Sequence, residues 1–485
     1  MDESSMVGTL VIEAFAVKPR LDGKAIPDPI IMDVPDATPL VQSYMLPTDG
    51  DACYGGNYDE EFNFWDGSMY KVLIGRMLHS CPGEQESKDD STASLMTGFE
   101  RFMRQFASRI EAKGRSFRDA IIIFFYIRDM GLFASLNAIY QKYVGAINPP
   151  SRCCLQPVMS PEEVLRVHVL LSANEEMDVS RQVMHVQSIS QWAPSCVGPY
   201  SQAAQFGHLL FVSGQLGLEP GSMKFSDEST SEAEKEAQRT LVHTESVCRA
   251  MNASMSDSLV KLICFLSDDV RLRDHGAKLS GQIEAFIRGD LDEGDYGEND
   301  YNVCANSNRH SSGPLVVYMS VPRLPKNAQV ELHPILAHGA LVESRSSLHN
   351  IGPEGEGELQ MIQGVVTGSR DGTCDTFCSF VLGLDTCSLV SFKAAMLEAK
   401  ALVSERETFE RVFLFNIYKT EGCSLQDKDL VECATRALSE EGIDASLPVH
   451  CIAVSRVGLT PAMDKALLIE MLSAHVMSDN PNDCK

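Results

Sequence analysis

The residue types best suited to chemistry stand close together in the run Gly198-Pro-Tyr-Ser-Gln202. Glycine and proline favour a turn, and the loop around them can present the hydroxyls of Tyr200 and Ser201 together with an amide. A short apolar run, 209–212, comes next and ends just before Gly214. Its length and its flanking glycines are typical of a buried strand. The pattern therefore predicts a polar, hydrogen-bonding loop that leads into a strand.

The chain as a whole is acidic, with 41 Lys and Arg residues against 67 Asp and Glu residues and a formal net charge of −26. No basic stripe is present, so binding to a nucleic-acid backbone is disfavoured. With 44% hydrophobic and 22% charged residues, the composition is that of a folded globular protein. A length of 485 residues favours about three or four domains.

The composition also bears on compartment and metal binding. No secretory signal is visible at the start, and no apolar run approaches the roughly 20 residues that span a bilayer. Most of the 15 cysteines lie in apolar segments, as expected for reduced thiols of a cytoplasmic protein. The pairs Cys153–Cys154 and Cys374/Cys378 lack a second ligand pair, so no metal site is predicted.

Similar elements recur along the chain with a period of roughly 150 residues. The repeat predicts an irregular segment 1–60, then modules over 61–175, 190–338 and 345–478, with an acidic insertion 288–313 in the second. Segment 81–94 is polar and is expected to be mobile. The predicted elements that position the motifs are helices over 231–253, 276–287 and 389–403 and strands over 120–127, 258–266, 315–321, 329–336 and 411–418.

The signature run and the Ser213-Gly-Gln215 that follows it resemble the YjgF/RidA family, also called the L-PSP endoribonuclease family. The turn Arg323-Leu-Pro-Lys326 before the last strand is also typical of that family. The resemblance implies an α+β fold of tandem chorismate-mutase-like modules. Three modules would form an intrachain pseudo-trimer with ligand clefts between neighbours. The alternative is a chain of two modules that oligomerises to complete its rings.

The resemblance also implies site residues. In the family's active deaminases an arginine binds the substrate carboxylate through its bidentate fork. A glutamate on the last strand acts on the water that hydrolyses the reactive imine. Arg152, after Pro149-Pro-Ser, matches the arginine in the first module. Tyr200, Ser201, Ser213 and Gly214 of the second module would line the same cleft and bind ligand.

The glutamate does not carry over as simply. Its expected position falls near Leu170 in the first module and at His333 in the second, where the arginine position is Val316. Glu470 occupies it in the third module and is the catalytic candidate. No single module then keeps a complete set, so one composite cleft could join Arg152 to the signature loop.

Each of these residues also has a structural explanation that the sequence leaves open. Arg152 could pair with an acidic neighbour at an interface, and His333 could be a core histidine. Tyr200 and Ser201 could only shape their loop, and Glu470 could lie on the surface.

A narrower resemblance is to fungal and plant diphthine–ammonia ligases, in which similar motifs follow an ATP-pyrophosphatase domain. It rests on Asn148-Pro-Pro-Ser-Arg152 and on the run 193–203. It implies a role in diphthamide synthesis on translation elongation factor 2. No Ser-Gly-Gly-Lys-Asp-Ser loop or Walker loop is found, and the stretch before residue 60 is too short for a nucleotide-binding domain. ATP is therefore expected only through a partner, an ATP-pyrophosphatase subunit.

Three functions are considered on these grounds. The first is a largely non-catalytic binding or scaffold protein beside a diphthine–ammonia ligase, without a cofactor of its own. The second is an imine/enamine deaminase that acts on a small anionic metabolite at the composite cleft. The third, an endoribonuclease, is disfavoured because an acidic chain repels RNA.

Overall fold

Strands and helices alternate along the described part of the chain. The computed structural model describes residues 58–66, 70–79, 88–173, 181–225, 233–268, 272–289, 315–338, 340–351, 357–367, 374–386, 388–404, 412–439, 450–458 and 465–476. Nearly all of the segment 1–60, part of the segment 81–94 and most of the acidic insertion lie outside these residues. Residues Gly55–Lys485 belong to one unit.

The first sheet has five strands in the order β1-β2-β5-β3-β4. Only β3 and β4 pair in parallel; the other neighbours are antiparallel. Two helices accompany it, α1 (Lys88–Glu111) and α2 (Phe133–Val144). The strands are β1 (Tyr58–Asp66), β2 (Tyr70–His79), β3 (Ala120–Ile127), β4 (Ser151–Leu155) and β5 (Glu163–Ser172).

Strand β3 shows how the amino-acid sequence of a strand in this sheet determines its burial. It is apolar throughout and buried along its whole length, as the sequence predicts. Ile123 and Phe125 pack beneath the helices, whereas Phe124 and Tyr126 point to a core shared with the other sheets. Successive side chains alternate between the faces because a strand has a period of two.

The second sheet is ordered β18-β11-β10-β12-β8-β7-β6, where β18 (Arg456–Gly458) comes from a later part of the chain, and β9 also pairs with β12. Its helices are α3 (Ala233–Ala250), the short α4 (Met255–Ser258) and α5 (Leu272–Arg288). The strands from its own part of the chain are β6 (Gln182–Met184), β7 (Ala203–Phe206), β8 (Leu209–Val212), β9 (Gln215–Leu216), β10 (Leu259–Ser267), β11 (Leu315–Val321) and β12 (Val330–Ala337).

The third sheet has six strands in the order β13-β14-β15-β19-β16-β17, with helices α6 (Leu389–Ser404) and α7 (Asp427–Ser439). Its strands are β13 (Ala340–Ile351), β14 (Gly357–Thr367), β15 (Cys374–Leu384), β16 (Val412–Thr420), β17 (His450–Val454) and β19 (Leu467–Val476). The short β18 (Arg456–Gly458) leaves this part of the chain and pairs with β11 of the second sheet.

One strand pattern recurs in all three sheets. A hairpin strand pairs with the last strand, which pairs with the strand after the first helix, which pairs in parallel with the strand after the second helix. The corresponding strands are β2-β5-β3-β4, β8-β12-β10-β11 and β15-β19-β16-β17. The predicted α+β class with mixed sheets is confirmed, whereas the boundaries of the modules stay predictions.

Two differences from the expected elements are local. The polar segment 81–94 is expected to be mobile, but its last part is helical because α1 already begins at Lys88. The sequence of the first module has no counterpart of the run Gly198–Gln202, and there the strands β1 and β2 form an antiparallel hairpin in full register from Tyr58 to Asp66. Polar residues can occupy the first turns of a long helix when its later turns supply a buried apolar face. Here that face is Phe99, Phe102, Phe106 and Ile110, as the spacing predicts.

The open edge of β4 meets the second sheet. The backbone N–H of Gly214 donates to the carbonyl of Arg152 at 3.1 Å. Gln156 forms a β-bridge with Arg323, and Val158, a little further on, forms one with Ala453 of the third sheet. The segment after β4 therefore connects all three sheets, and the clefts described below lie along these seams.

Candidate active site

The cleft that contains Arg152 lies at the seam between the first and second sheets. Arg152 is 3% exposed, and its Nη1 donates a 2.7 Å hydrogen bond to Oδ1 of Asn137 on α2. Its Nε and Nη2, which form one edge of the guanidinium, have no hydrogen-bond partner among the described residues. A buried guanidinium with an open edge is suited to bind a carboxylate through two parallel hydrogen bonds.

Aromatic rings surround this guanidinium. Its Cζ lies 4.7 Å from the ring centroid of Tyr200, 5.2 Å from that of Tyr140 and 5.5 Å from that of Phe133. Contacts of this kind stabilise a cation that is removed from water. On another side a Cβ at Gly198 would lie 2.5 Å from Nη2, so only glycine permits the loop to approach so closely. The signature loop therefore packs directly on Arg152.

Glu331 on β12 is a carboxyl group in the same cavity that the sequence analysis did not assign. It is 2% exposed, Sγ of Cys153 donates to its Oε1 at 3.5 Å, and its Oε2 has no hydrogen-bond partner among the described residues. Burial raises the pKa of Glu331 to about 8, and the Cys153 hydrogen bond and the Arg152 charge offset this only in part. Glu331 is therefore mainly protonated at neutral pH and can donate a proton.

The space between these groups is narrow, with room for about one water molecule. Gly214 is required at its wall, because a Cβ there would lie 1.7 Å from Oε1 of Glu331. A ligand of several atoms must therefore move one of the side chains around the cavity. The lining residues are Phe133, Arg152, Cys154, Val197, Tyr200, Gly214, Leu216, Pro325 and Glu331.

The two predicted serines lie behind the cavity wall. The Ser201 hydroxyl donates to the carbonyl of Pro149 at 2.5 Å, and the Ser213 hydroxyl donates to the carbonyl of Ser201 at 2.5 Å. Ser213 Oγ also accepts the backbone N–H of Arg152 at 2.8 Å. These contacts fix the signature loop to β4, whereas Tyr200 and Gly214 reach the cavity itself. A role for the serines in ligand binding stays a prediction.

The expectation that His333 occupies the glutamate position of the second module is corrected by two residues. His333 is fully buried, its Nδ1 lies 2.7 Å from the carbonyl of Val212, and its ring meets that of Phe124 at 5.5 Å. Burial lowers its pKa to about 4. His333 is thus a core histidine, and the carboxylate that faces Arg152 belongs to Glu331.

The expected glutamate position of the first module, near Leu170, is also wrong, because the register places Arg166 there. In β12, Glu331 is the Cα partner of Phe265 and Leu216. In β5 the residue with the corresponding partners, Tyr126 and Arg76, is Arg166. Leu170 lies further along β5 and is buried in the shared core.

The remaining predicted positions lie on other strands. Val316 lies on β11 and packs against the helix side of the second sheet. Glu470 lies on β19, where its Cα partners are Val381 and Asn416. Only the backbone of Glu470 is described, so its catalytic role stays a prediction.

A signal for Glu331 was present in the sequence. It is the one carboxylate in the predicted strand 329–336, which is otherwise mostly apolar. A buried carboxylate in such a strand needs either a partner or a function. Counting onward from Arg323-Leu-Pro-Lys326 overlooked this acid because residues 331 and 333 share one face of the strand.

The profile of the family "Endoribonuclease L-PSP" matches residues 190–283. This part of the chain is a YjgF/RidA region. A 2-iminobutanoate/2-iminopropanoate deaminase of Dermatophagoides farinae is 28% identical over 144 residues, which cover 30% of this chain and 89% of that protein. One of the proteins to which this region is similar is therefore named as a deaminase.

The chain also has ligase-like similarity. A diphthine–ammonia ligase of Schizosaccharomyces pombe is 28% identical over 220 residues, or 45% of this chain. The match spans 30% of the length of that ligase. Among solved structures, RidA from Psychrobacter sp. PAMC 21119 is 25% identical with a TM-score of 0.23, and the match covers 32% of this chain and 98% of that one. None of the described helices is long and apolar enough to cross a membrane.

Proposed function

We propose that the Arg152 cleft binds a small 2-imino carboxylate and hydrolyses it to the 2-oxo acid and ammonia. The observation that carries this proposal is the meeting of two buried groups in one cavity. Arg152 offers the open edge of a guanidinium, and Glu331 offers a carboxyl group that is protonated at neutral pH. A carboxylate-binding group beside a proton donor is what the hydrolysis of such an imine requires.

Arg152 would hold the substrate carboxylate through Nε and Nη2. The hydrogen bond from Nη1 to Asn137 and the ring of Tyr200 would fix the orientation of the guanidinium. A planar fork matches a carboxylate in two hydrogen bonds, so both the position and the direction of the substrate would be set. The imine carbon would then lie on the side of the cavity that Glu331 lines.

Glu331 would supply the proton transfers. Its carboxyl group protonates the imine nitrogen, which makes the carbon more electrophilic, and the resulting carboxylate accepts a proton from the attacking water. The carbinolamine then collapses: that proton passes to the amine nitrogen, the C–N bond breaks and ammonia leaves, and the hydroxyl gives its proton to the Glu331 carboxylate as the C=O bond forms. Water and imine are consumed and one 2-oxo acid and one ammonia are produced, so the carboxyl group ends in its starting state.

The test is hydrolysis of 2-iminopropanoate, generated in the assay by an amino-acid oxidase, with release of the oxo acid followed by a dehydrogenase. We expect Arg152→Met and Glu331→Gln each to lose at least about a hundredfold in turnover. The exposed ion pair Arg288–Glu284 provides matched controls, and Arg288→Met and Glu284→Gln should retain turnover. Absence of turnover in the unmodified chain, or unchanged turnover in Glu331→Gln, would contradict the proposal.

A second function is proposed on the similarity to the diphthine–ammonia ligase. In this case the chain would bind beside an ATP-pyrophosphatase subunit and translation elongation factor 2 in diphthamide biosynthesis. The expectation of a largely non-catalytic role rests on the tandem modules, the incomplete arginine and glutamate sets and the missing ATP-binding loop, and the position of Glu331 weakens one of these grounds. Affinity purification of the tagged chain, followed by mass spectrometry, tests this function. Recovery of neither partner would count against it.

The recurring strand pattern supports the further proposal that the sheets are three tandem modules arranged as an intrachain pseudo-trimer. The clefts at the seams would then be positions related by an approximate threefold axis. A monomer in solution is expected, and sedimentation velocity measures it. A trimer of chains would support the alternative in which the chain oligomerises to complete its rings.

A further inference from the structure

A second and larger cavity system lies where the first sheet meets the third. Two adjoining cavities of about 500 Å³ and about 310 Å³ share four lining residues, Arg76, Arg166, Asp427 and Cys451. Strands β2 and β5 form one side, and β17 together with the segment around Asp427 forms the other. We call the two cavities together the Arg76 groove. Its volume is within the range of sites for small organic ligands.

The groove corresponds by register to the Arg152 cleft. Arg166 takes in β5 the position that Glu331 takes in β12, and Arg76 takes the position of Leu216. On the opposite side, Cys451 lies on β17, the strand that matches β4 in the recurring pattern. A cation therefore stands where the other cleft has an acid, so the two clefts differ in charge at this position.

The charges at the centre of the groove do not balance. Arg76 and Arg166 stand directly opposite each other on adjacent strands, and both bind the carboxylate of Glu163. The hydrogen bonds are 3.0 and 3.1 Å from Arg76 and 2.7 Å for both from Arg166. Burial alone would raise the pKa of Glu163, but these hydrogen bonds lower it below its ordinary value. Two guanidinium ions thus share one buried carboxylate.

Among the described residues, the charge that is left over is met by two partly exposed carboxylates, those of Glu61 and Asp427. Nη1 of Arg76 donates to Oε2 of Glu61 at 3.0 Å, and the Glu61 side chain is 57% exposed, whereas that of Glu163 is 4% exposed. An exposed carboxylate gains little from such a pair because water screens it. A ligand anion inside the groove could take its place at Nη1 at small cost. The like charges of Arg76 and Arg166 would be offset by the same anion.

We propose that the Arg76 groove is a second ligand site, which binds a small organic anion with an apolar body. Arg76 would bind the carboxylate or phosphate group of the ligand in place of Glu61, and Arg166 would add to the positive potential. Phe62, Ile74 and Val431 line the adjoining cavity and would contact the apolar body. The site is separate from the proposed imine site and does not depend on its activity.

The probes are phenyl phosphate and benzoate, titrated into the full chain by calorimetry at low ionic strength. The expected result is saturable binding of at least one probe, weakened about tenfold by Arg76→Met because a charge-assisted hydrogen bond is lost. Glu61→Gln should strengthen binding severalfold, since it removes the competing carboxylate and leaves no buried charge without its partner. A gain of affinity cannot come from misfolding, so this variant keeps the test decisive if Arg76→Met is unstable.

Two controls separate the groove from other positive sites. Glu100→Gln removes an exposed carboxylate that pairs with Lys142 on the helices of the first sheet, and it should leave the affinity unchanged. Arg152→Met tests whether the probe has entered the other cleft instead. Binding that is lost with Arg152→Met but kept in Arg76→Met would overturn the proposal, as would the absence of binding by both probes or no gain in Glu61→Gln.

Discussion

At the scale of single residues, Glu331 decides what the Arg152 cleft can do. Burial raises the pKa of its carboxyl group to about 8. An acid with a raised pKa binds more protons in the folded state than in the unfolded state. Its favourable contribution to stability is thus present in full below its unfolded pKa, near 4.5, and is lost as the pH rises to about 8.

Glu331→Gln should therefore change the pH dependence of stability. Between pH 5 and pH 8 the free energy of unfolding of the variant should improve relative to the unmodified chain by up to a few kcal/mol, about 1.4 for each unit of pKa shift. Urea denaturation at pH 5, 6.5 and 8 measures this difference. Glu284→Gln, which alters an exposed carboxylate, should show none. Parallel pH profiles for Glu331→Gln and the unmodified chain would mean that Glu331 titrates normally.

Gly214 provides a steric test of the same contact. A Cβ at this position would lie 1.7 Å from Oε1 and 2.6 Å from Cδ of Glu331, so Gly214→Ala must displace the carboxyl group. A shift of about 1 Å can reduce a rate roughly a hundredfold, and we expect a loss of that size in imine hydrolysis. The control is Gly221→Ala, where the added Cβ meets nothing within 4 Å. Equal turnover in the two variants would contradict the position given to Glu331.

At the scale of elements, helix α3 holds the strand that presents Glu331. Oε1 of Glu236 accepts the backbone N–H groups of Gln329 at 2.8 Å and of Val330 at 3.0 Å, at the start of β12. Burial raises the pKa of Glu236 to about 7, so the neutral acid and the carboxylate both occur near pH 7. In either form the side chain keeps an oxygen that accepts these two hydrogen bonds.

Substitutions of Glu236 should therefore separate the acceptor from the charge. Glu236→Ala removes the shared acceptor and should lower the free energy of unfolding by about 2–4 kcal/mol. Its turnover of the imine should also fall. Glu236→Gln keeps a carbonyl acceptor and should cost less than about 1 kcal/mol. Urea denaturation of both variants at neutral pH makes the comparison. A glutamine variant as unstable as the alanine variant would show that the charge, and not the acceptor, holds β12.

The elements also explain how much of the site could be predicted from sequence. Arg152, Tyr200 and Gly214 belong to short local motifs, and the structure brings all three into one cavity. The predicted position of the glutamate was His333, two residues beyond Glu331. The turn between β11 and β12 contains the positive φ angles of Lys326 and Asn327, and strand periodicity fixes the face but not the position along it.

Arg76 and Arg166 could not be found in this way. They meet because β2 pairs with β5, although about ninety residues of sequence separate the two arginines. No local motif predicts this pairing. The hairpin of β1 and β2 that carries Arg76 also replaces the signature run in the first module. Their shared partner Glu163 lies at the start of β5, the strand that carries Arg166. Long-range registers of this kind are visible only in the folded chain.

At the scale of the whole molecule, the sheets should unfold together. The backbone and side-chain hydrogen bonds around Arg152 join the first sheet to the second, and residues of all three sheets share one core. Trp65 reports on the first sheet, and Trp192 lies in the segment that leads to the signature loop. Each can be observed alone by fluorescence in the variants Trp192→Phe and Trp65→Phe.

The urea midpoints of the two single-tryptophan variants should coincide within error. Ser213→Ala, which removes the hydroxyl that accepts the Arg152 N–H, should lower both midpoints together by the equivalent of about 1–3 kcal/mol. Well-separated midpoints, or a shift of one probe alone, would show that the first and second sheets are independent folding units and that the seam does not couple them.

The central claim is that Arg152 and Glu331, from two different sheets, act in one site. The most direct measurement is imine hydrolysis by Arg152→Met, Glu331→Gln and the double variant, assayed side by side. Groups that act as a unit are not additive. The claim predicts that each single variant loses about a hundredfold or more in turnover. The double variant should then have nearly the same turnover as the less active single variant. Losses that multiply in the double variant, or a single variant with full turnover, would contradict it.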